Sequence, residues 1–190
     1  MPVFADLLDL RTAVVELVRD SSIADVFPRL VAMAENGLSR QLRMRQQITN
    51  ATVTFAGGLA PMPDDCVEII GLFGANGCEY VEQSLHHKQG YTYSIQGDNL
   101  VGANLSGDFA LDYYGEIPAL TGMGETNWLL RRYPDVYLYA VGFEAAKHLQ
   151  QAEIGTATRA GLMDAIATAR ADDQSLRYSR ARVRVAGVTP

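Results

Sequence analysis

The chain has 190 residues, of which 48% are hydrophobic and 20% charged, with a formal net charge of -6. That apolar share supplies a real core and excludes intrinsic disorder, while the length favours one domain or one domain carrying an insertion. Mild acidity is a poor match to a protein that grips phosphate backbones, yet it suits one past which DNA slides without sticking.

Leu7, Leu10, Val14 and Leu17/Val18 recur at helical spacing with Asp9, Arg11, Glu16 and Arg19 between them, so the chain opens on a helix that Asp20-Ser21-Ser22 ends. A second helix is expected from near Asp25, with Ser22 or Asp25 as its cap and Pro28 in its first turn. Its apolar stripe is Phe27, Leu30, Val31, Ala34, Leu38 and Leu42, and Arg40, Arg43 and Arg45 gather where positive charge complements the helix dipole.

After Gln47 the period falls to two. Val53 and Phe55 alternate with Thr52 and Thr54, which predicts a strand from Ile48 to Phe55. Gly57-Gly58 and residues 61–65 read as turns, Val67 to Phe73 as a strand, and Asn76-Gly77 as a hairpin leading to a strand over Cys78 to Val81. Tyr91 to Ile95, Leu100-Val101 and Phe109 to Tyr114 complete about six short strands in an antiparallel sheet or small sandwich.

Helix returns after Gly122. Thr126 is the expected cap of a short helix, Pro134-Asp135 starts a longer one with Tyr137, Leu138, Val141, Ala145 and Leu149 buried, and a last helix spans Glu153 to Asp173 with Leu162, Ile166 and Ala169 inward. The predicted fold class is α+β. Residues 1–47 and 121–175 form a helical bundle, residues 48–120 an inserted antiparallel β subdomain, and residues 176–190 an extended basic tail.

The search for chemistry returns no catalytic, cofactor-binding or metal site. His86-His87 has no third ligand at a suitable spacing, Cys66 and Cys78 stand apart as small apolar residues of a reducing compartment, and His148 falls on a helix. No nucleophile elbow or glycine-rich phosphate loop occurs, and Asp64-Asp65 and Asp172-Asp173 read as solvated acids at a turn and a helix end. Trp128, Tyr133, Tyr137, Tyr139 and Phe143 recur at helical spacing, so they serve a core or a subunit contact. The N-terminus carries acids where a signal peptide needs a basic start, and no apolar run is long enough to span a membrane, so assembly in a cytoplasm is expected.

Three stretches together resemble the tailed-bacteriophage head-to-tail adaptor family, over about residues 5–175. Phe27 to Glu35 followed by Leu38 to Arg43 is similar to the family's early helix with its A-E pair and L-R. Pro61 to Glu68 resembles the L-P-x-D-F turn, with Met62 and Cys66 in place of Leu and Phe. Leu111 to Leu120, Thr126 to Leu130 and Tyr133 to Tyr139 resemble an ordered series Y-Y-x-x-I-P-x-L, N-W-L and P-D-x-Y-L-Y. The resemblance implies a structural virion protein at the head–tail junction, without catalysis or cofactor. It implies a twelve-subunit ring beneath the portal that receives tail or nozzle proteins and conducts DNA without specific binding.

The tail beyond Tyr178 carries none of these motifs; Arg177, Tyr178, Arg180, Arg182, Val183, Arg184 and Val185 form a basic, strand-like segment whose period-two alternation lacks a local partner. They are expected to order on the portal, by adding a strand. The alternative reading is a virion accessory protein that binds or hydrolyses cell-wall carbohydrate, for which Glu68, Glu79, Glu82 and Asp112 are the candidate acids.

Overall fold

The structure is a computed structural model that describes residues 3–83, 91–102 and 104–178. It mixes helix and sheet and divides into two compact units, residues 1–38 with 119–190 and residues 39–118.

In the first unit, helix α1 (Leu7–Val18) starts on Asp6, whose carboxylate accepts from the backbone N–H of Leu8 at 2.9 Å and of Asp9 at 3.0 Å. Leu7, Leu10, Val14 and Val18 are buried, and the left-handed Arg19 ends the helix. A short 3-10 turn, Ser21–Asp25, follows, capped by Asp20 through Ser22 N–H at 2.8 Å. Helix α2 (Phe27–Gln41) therefore starts two residues later than expected, and neither Ser22 nor Asp25 caps it. The apolar stripe expected on this helix, Phe27 to Leu42, is buried throughout.

Helix α3 (Trp128–Arg132) is capped by Asn127, which accepts from Leu130 N–H at 2.9 Å; the expected cap, Thr126, leaves its hydroxyl unpartnered among the described residues. Helix α4 (Pro134–His148) begins on proline, where the missing N–H costs nothing. It packs against α1, α3 and α5 (Ala152–Tyr178). Val136, Tyr137, Ala140, Val141, Gly142, Ala145 and Ala146 are buried, while Leu138 and Leu149 are only half-buried. Small residues set the approach: a Cβ on Gly142 would lie 2.7 Å from Leu17 of α1, and one on Gly161 of α5 2.9 Å from the Tyr139 ring. On α5, Ile166 and Ala169 are buried and Leu162 half-buried. The helix runs past Asp173 to Tyr178, so residues 176–178 are helical and not part of an extended tail. An i,i+4 pair from Asp173 to Arg177 at 2.9 Å supports those added turns. Arg180, Arg182, Val183, Arg184 and Val185 lie outside the described residues, as do His86 and His87.

The second unit holds the end of α2, a 3-10 turn at Arg45–Gln47 and seven strands. These are β1 (Ile48–Phe55), β2 (Leu59–Pro61), β3 (Cys66–Phe73), β4 (Glu79–Glu82), β5 (Thr92–Gln96), β6 (Asn99–Val101) and β7 (Gly107–Gly115). Their order is β1-β7-β3-β4-β5-β6-β2. Two expectations are corrected here. The seventh strand is β2: in sequence Leu59 and Ala60 fall in no predicted element and Pro61 in a turn, but all three pair with β6. The sheet is also not wholly antiparallel, because β4 and β5 run parallel.

Ala56 and Leu59 exchange two backbone hydrogen bonds at 2.9 and 3.2 Å, which folds β2 back against the end of β1 and curls the sheet towards closure. Gly58 sits in that turn at φ +82, a left-handed conformation that glycine adopts without strain. Asn76-Gly77 makes the expected turn, with Gly77 at φ +75 and Gly74 N–H bonded to Cys78 C=O at 2.9 Å. The core gathers Val53, Phe55, Ala60, Leu72, Tyr93, Leu100, Leu105, Phe109, Leu111 and Tyr113. Phe109 makes edge-on contacts with Phe55 and Tyr80, at centroid distances of 5.0 and 5.2 Å.

Candidate functional site

The residues that carried the resemblance do not form a cleft. They make two polar networks, one in each unit.

In the first unit, Glu35 of α2 is only 6% exposed. Its Oε1 accepts from the Tyr137 hydroxyl at 2.7 Å and from Leu120 N–H at 3.0 Å. Asn127 Nδ2 donates to the same tyrosine oxygen at 2.7 Å. The Tyr137 hydroxyl thus ties α4 to α2 and to the α3 cap, and the Glu35 carboxylate ties α2 to Leu120, with every bond buried. Burial pushes the Glu35 carboxyl above its ordinary range, against the lowering effect of the bonds from Tyr137 and Leu120. Burial, then the Glu35 charge, pushes the Tyr137 hydroxyl up as well.

A carboxyl whose folded pKa is raised stabilises the fold while protonated. Its contribution is present below the unfolded value of 4.5 and is lost as pH rises through the folded value. Glu35→Gln keeps an oxygen acceptor but has no charge to bury. Relative to the parent, the variant is expected to gain stability between pH 4 and pH 7. Urea midpoints of both proteins at the two pH values check this, and a difference that does not move with pH contradicts it.

In the second unit, Asp65 accepts from the Tyr113 hydroxyl at 2.9 Å, and Glu116 N–H bonds the Asp65 carbonyl at 2.9 Å. Asp65 is therefore not a free turn acid; burial, then its carboxylate, pushes the Tyr113 hydroxyl up to about 12. Buried Gln47 donates to the Gly115 carbonyl at 3.2 Å and accepts from Met44 N–H at 3.0 Å. Ser39 Oγ accepts from Ile117 N–H at 3.1 Å. Arg43 pairs with Glu68, lies over the Tyr114 ring with its guanidinium carbon 5.8 Å from the centroid, and donates to the Ser39 carbonyl at 2.9 Å. The ion pair is partly exposed, so Arg43→Ala is expected to cost only about 1 kcal/mol. A guanidinium chloride midpoint checks this, and a loss several times larger would mean that the pair is shielded.

Of the five aromatics expected in a core or interface, Tyr137 and Tyr133 are buried within the subunit, while Trp128, Tyr139 and Phe143 are half-buried. The Trp128 Nε1–H has no acceptor among the described residues. Arg177 pairs with Asp173, which is 3% exposed and so not the solvated helix-end acid that the sequence suggested. The candidate hydrolytic acids are spread over three strands: Glu68 bonds Arg43, Asp112 bonds Asn50, and Glu79 and Glu82 are exposed on β4. Among the described residues no group of three or more His, Cys, Asp or Glu side chains could hold a metal ion. Cys66 and Cys78 are free thiols, and burial pushes that of Cys66 up. No helix is long and apolar enough to cross a membrane among those residues. A cleft of about 400 Å³ opens between the end of α4 and the start of α5, lined among others by Phe143, Ala146, Lys147, Gly155 and Arg159.

Neither network was visible as a site in the sequence. Glu35 figures in the sequence only as part of the A-E pair, although it lies four positions after Val31 and so on the apolar stripe. No curated protein matches the chain. The family model described as SU10 adaptor protein matches residues 5–186, nearly the whole length, so the chain belongs to the SU10 adaptor protein family of phage adaptors.

Proposed function

We propose that copies of this chain close into a twelve-subunit ring at the head–tail junction of a virion, between the portal and the tail or nozzle proteins, with DNA passing through the lumen. The single observation that carries this reading is the family match over residues 5–186. The protein works by shape and contact and not by catalysis: its buried polar groups are spent on fixing helices and strands. A net charge of -6 favours a channel that does not hold the DNA sliding through it. Subunits joined head to tail close into a ring when the rotation between them permits, and half-buried aromatics such as Trp128 and Tyr139 are suited to such contacts.

The test is genetic and structural together. Phage lacking this chain should fill heads with DNA but fail to attach tails, and adding the purified protein to those heads should restore joining. Tailed, infectious particles assembled in its absence would overturn the reading.

A further inference from the structure

We infer that residues 180–185 of one subunit add a strand to the outer edge of β1 in a second copy. The inference rests on the ring proposed above and names one contact within it.

The acceptor is set by β1 itself. All eight residues pair with β7 in unbroken one-to-one register, from Ile48 opposite Tyr114 to Phe55 opposite Gly107. Ala56 turns both its N–H and its C=O to Leu59, away from β7. Residues two apart in a strand aim these groups the same way, so Asn50, Thr52 and Thr54 present theirs to the open side. Among the described residues no strand covers that side beyond the single bridge at Ala56. Edges are usually blunted by lysine, proline or a bulge, and the β1 sequence Ile-Thr-Asn-Ala-Thr-Val-Thr-Phe has neither residue type and no bulge.

The occupant is set by charge. On the outward face, Asn50 donates to Asp112 and Thr54 donates to Asp108 at 2.7 Å. Neither carboxylate has a cation partner among the described residues. Residues 180–185, Arg-Ala-Arg-Val-Arg-Val, put arginine on one face of a strand and apolar residues on the other. With Arg182 opposite Thr52, Arg180 and Arg184 fall opposite Asn50 and Thr54 whichever way the strand runs. Three guanidiniums then share a face with Asp108 and Asp112. Ala181 and Val183 fall beside Ala51 and Val53, whose side chains turn to the core side. Adjacent strands are about 4.8 Å apart, so the added strand lies about 10 Å from β7, a gap that an arginine and an aspartate close between them. The acidic open edge offers this segment, expected from its alternation to order on the portal, a matching acceptor on the chain's own copies.

The test uses two full-length variants, Thr52→Cys and Arg182→Cys, each in a background where Cys66 and Cys78 are alanine. They are mixed before assembly with portal rings and treated with a short thiol-to-thiol cross-linker, and the mass of the assembly is measured in the same sample. The expected product is a linked pair holding one chain of each variant, reduced several-fold when Asp108→Asn and Asp112→Asn are added to the Thr52→Cys chain. Rings of full mass without that link would overturn the inference and leave the ring standing. So would Arg182→Cys linked to portal chains, or, in a third variant carrying both substitutions, a link confined to a single chain. A mass that stays at one subunit removes the ring, and the donated strand with it.

Discussion

Tyr137→Ala is expected to cost about 3–5 kcal/mol, the range for removing a fully buried aromatic side chain. The tyrosine is among the largest fully buried residues of the first unit. Truncation opens a cavity beneath α4, removes the bond from Asn127 Nδ2 to the tyrosine oxygen, and takes the hydroxyl donor away from Glu35 Oε1, which keeps the Leu120 N–H. Tyr137→Phe separates the two effects. It keeps the ring and removes the hydroxyl, so it is expected to lose about 1–3 kcal/mol, the cost of buried polar groups left unsatisfied. Chemical unfolding followed by helical circular dichroism reads both. Equal losses for the two variants would mean that packing contributes nothing beyond the hydroxyl, contrary to the burial of the ring.

Phe109→Ala is the counterpart in the second unit, with an expected loss of about 3–5 kcal/mol. Phe109 sits on β7, which pairs with β1 along eight residues in unbroken register and with β3 on its other side. Its ring is the shared partner of Phe55 and Tyr80, so its removal breaks two edge-on contacts at once. Hydrogen exchange of the β1 and β7 amides is the measurement. Their protection should fall together, and unchanged protection would place the centre of the strand core elsewhere.

The parts of the fold legible in the sequence are those where one face is buried against one partner. The α2 stripe from Phe27 to Leu42 and the alternation in β1 and β7 follow directly from burial at periods of 3.6 and two. The parts that were not legible depend on non-local pairing. Leu59–Pro61 is a strand only because β6 lies beside it, and three residues carry no period of their own. The parallel pairing of β4 with β5 is a matter of relative strand direction, which side-chain alternation does not encode. The end of α5 was placed too early because Asp172-Asp173 looks like a helix terminus, whereas the Asp173–Arg177 pair carries the helix on.

The candidate site followed the same division. The stretches that resemble the adaptor family share an order along the chain, and the structure shows what several of their residues do. Glu35, Asn127 and Tyr137 meet in one buried network, and Asp65 meets Tyr113 in another. Sequence spacing could not reveal those meetings, because Glu35 and Tyr137 are joined across 102 positions. A buried acid on an apolar stripe, followed much later by a tyrosine on another, gives no local signal of contact. The motifs therefore mark the internal frame of the adaptor. The surfaces that would touch a neighbour, such as the open edge of β1, carry ordinary threonine and asparagine and no signature at all.

The most direct test of the central claim is the native mass of the full-length protein, alone and after mixing with purified portal rings. The account predicts a defined complex in which the portal ring gains twelve subunits of 20.7 kDa each. A protein that stays at the mass of a single subunit beside unchanged portal rings, at every salt concentration, would contradict it.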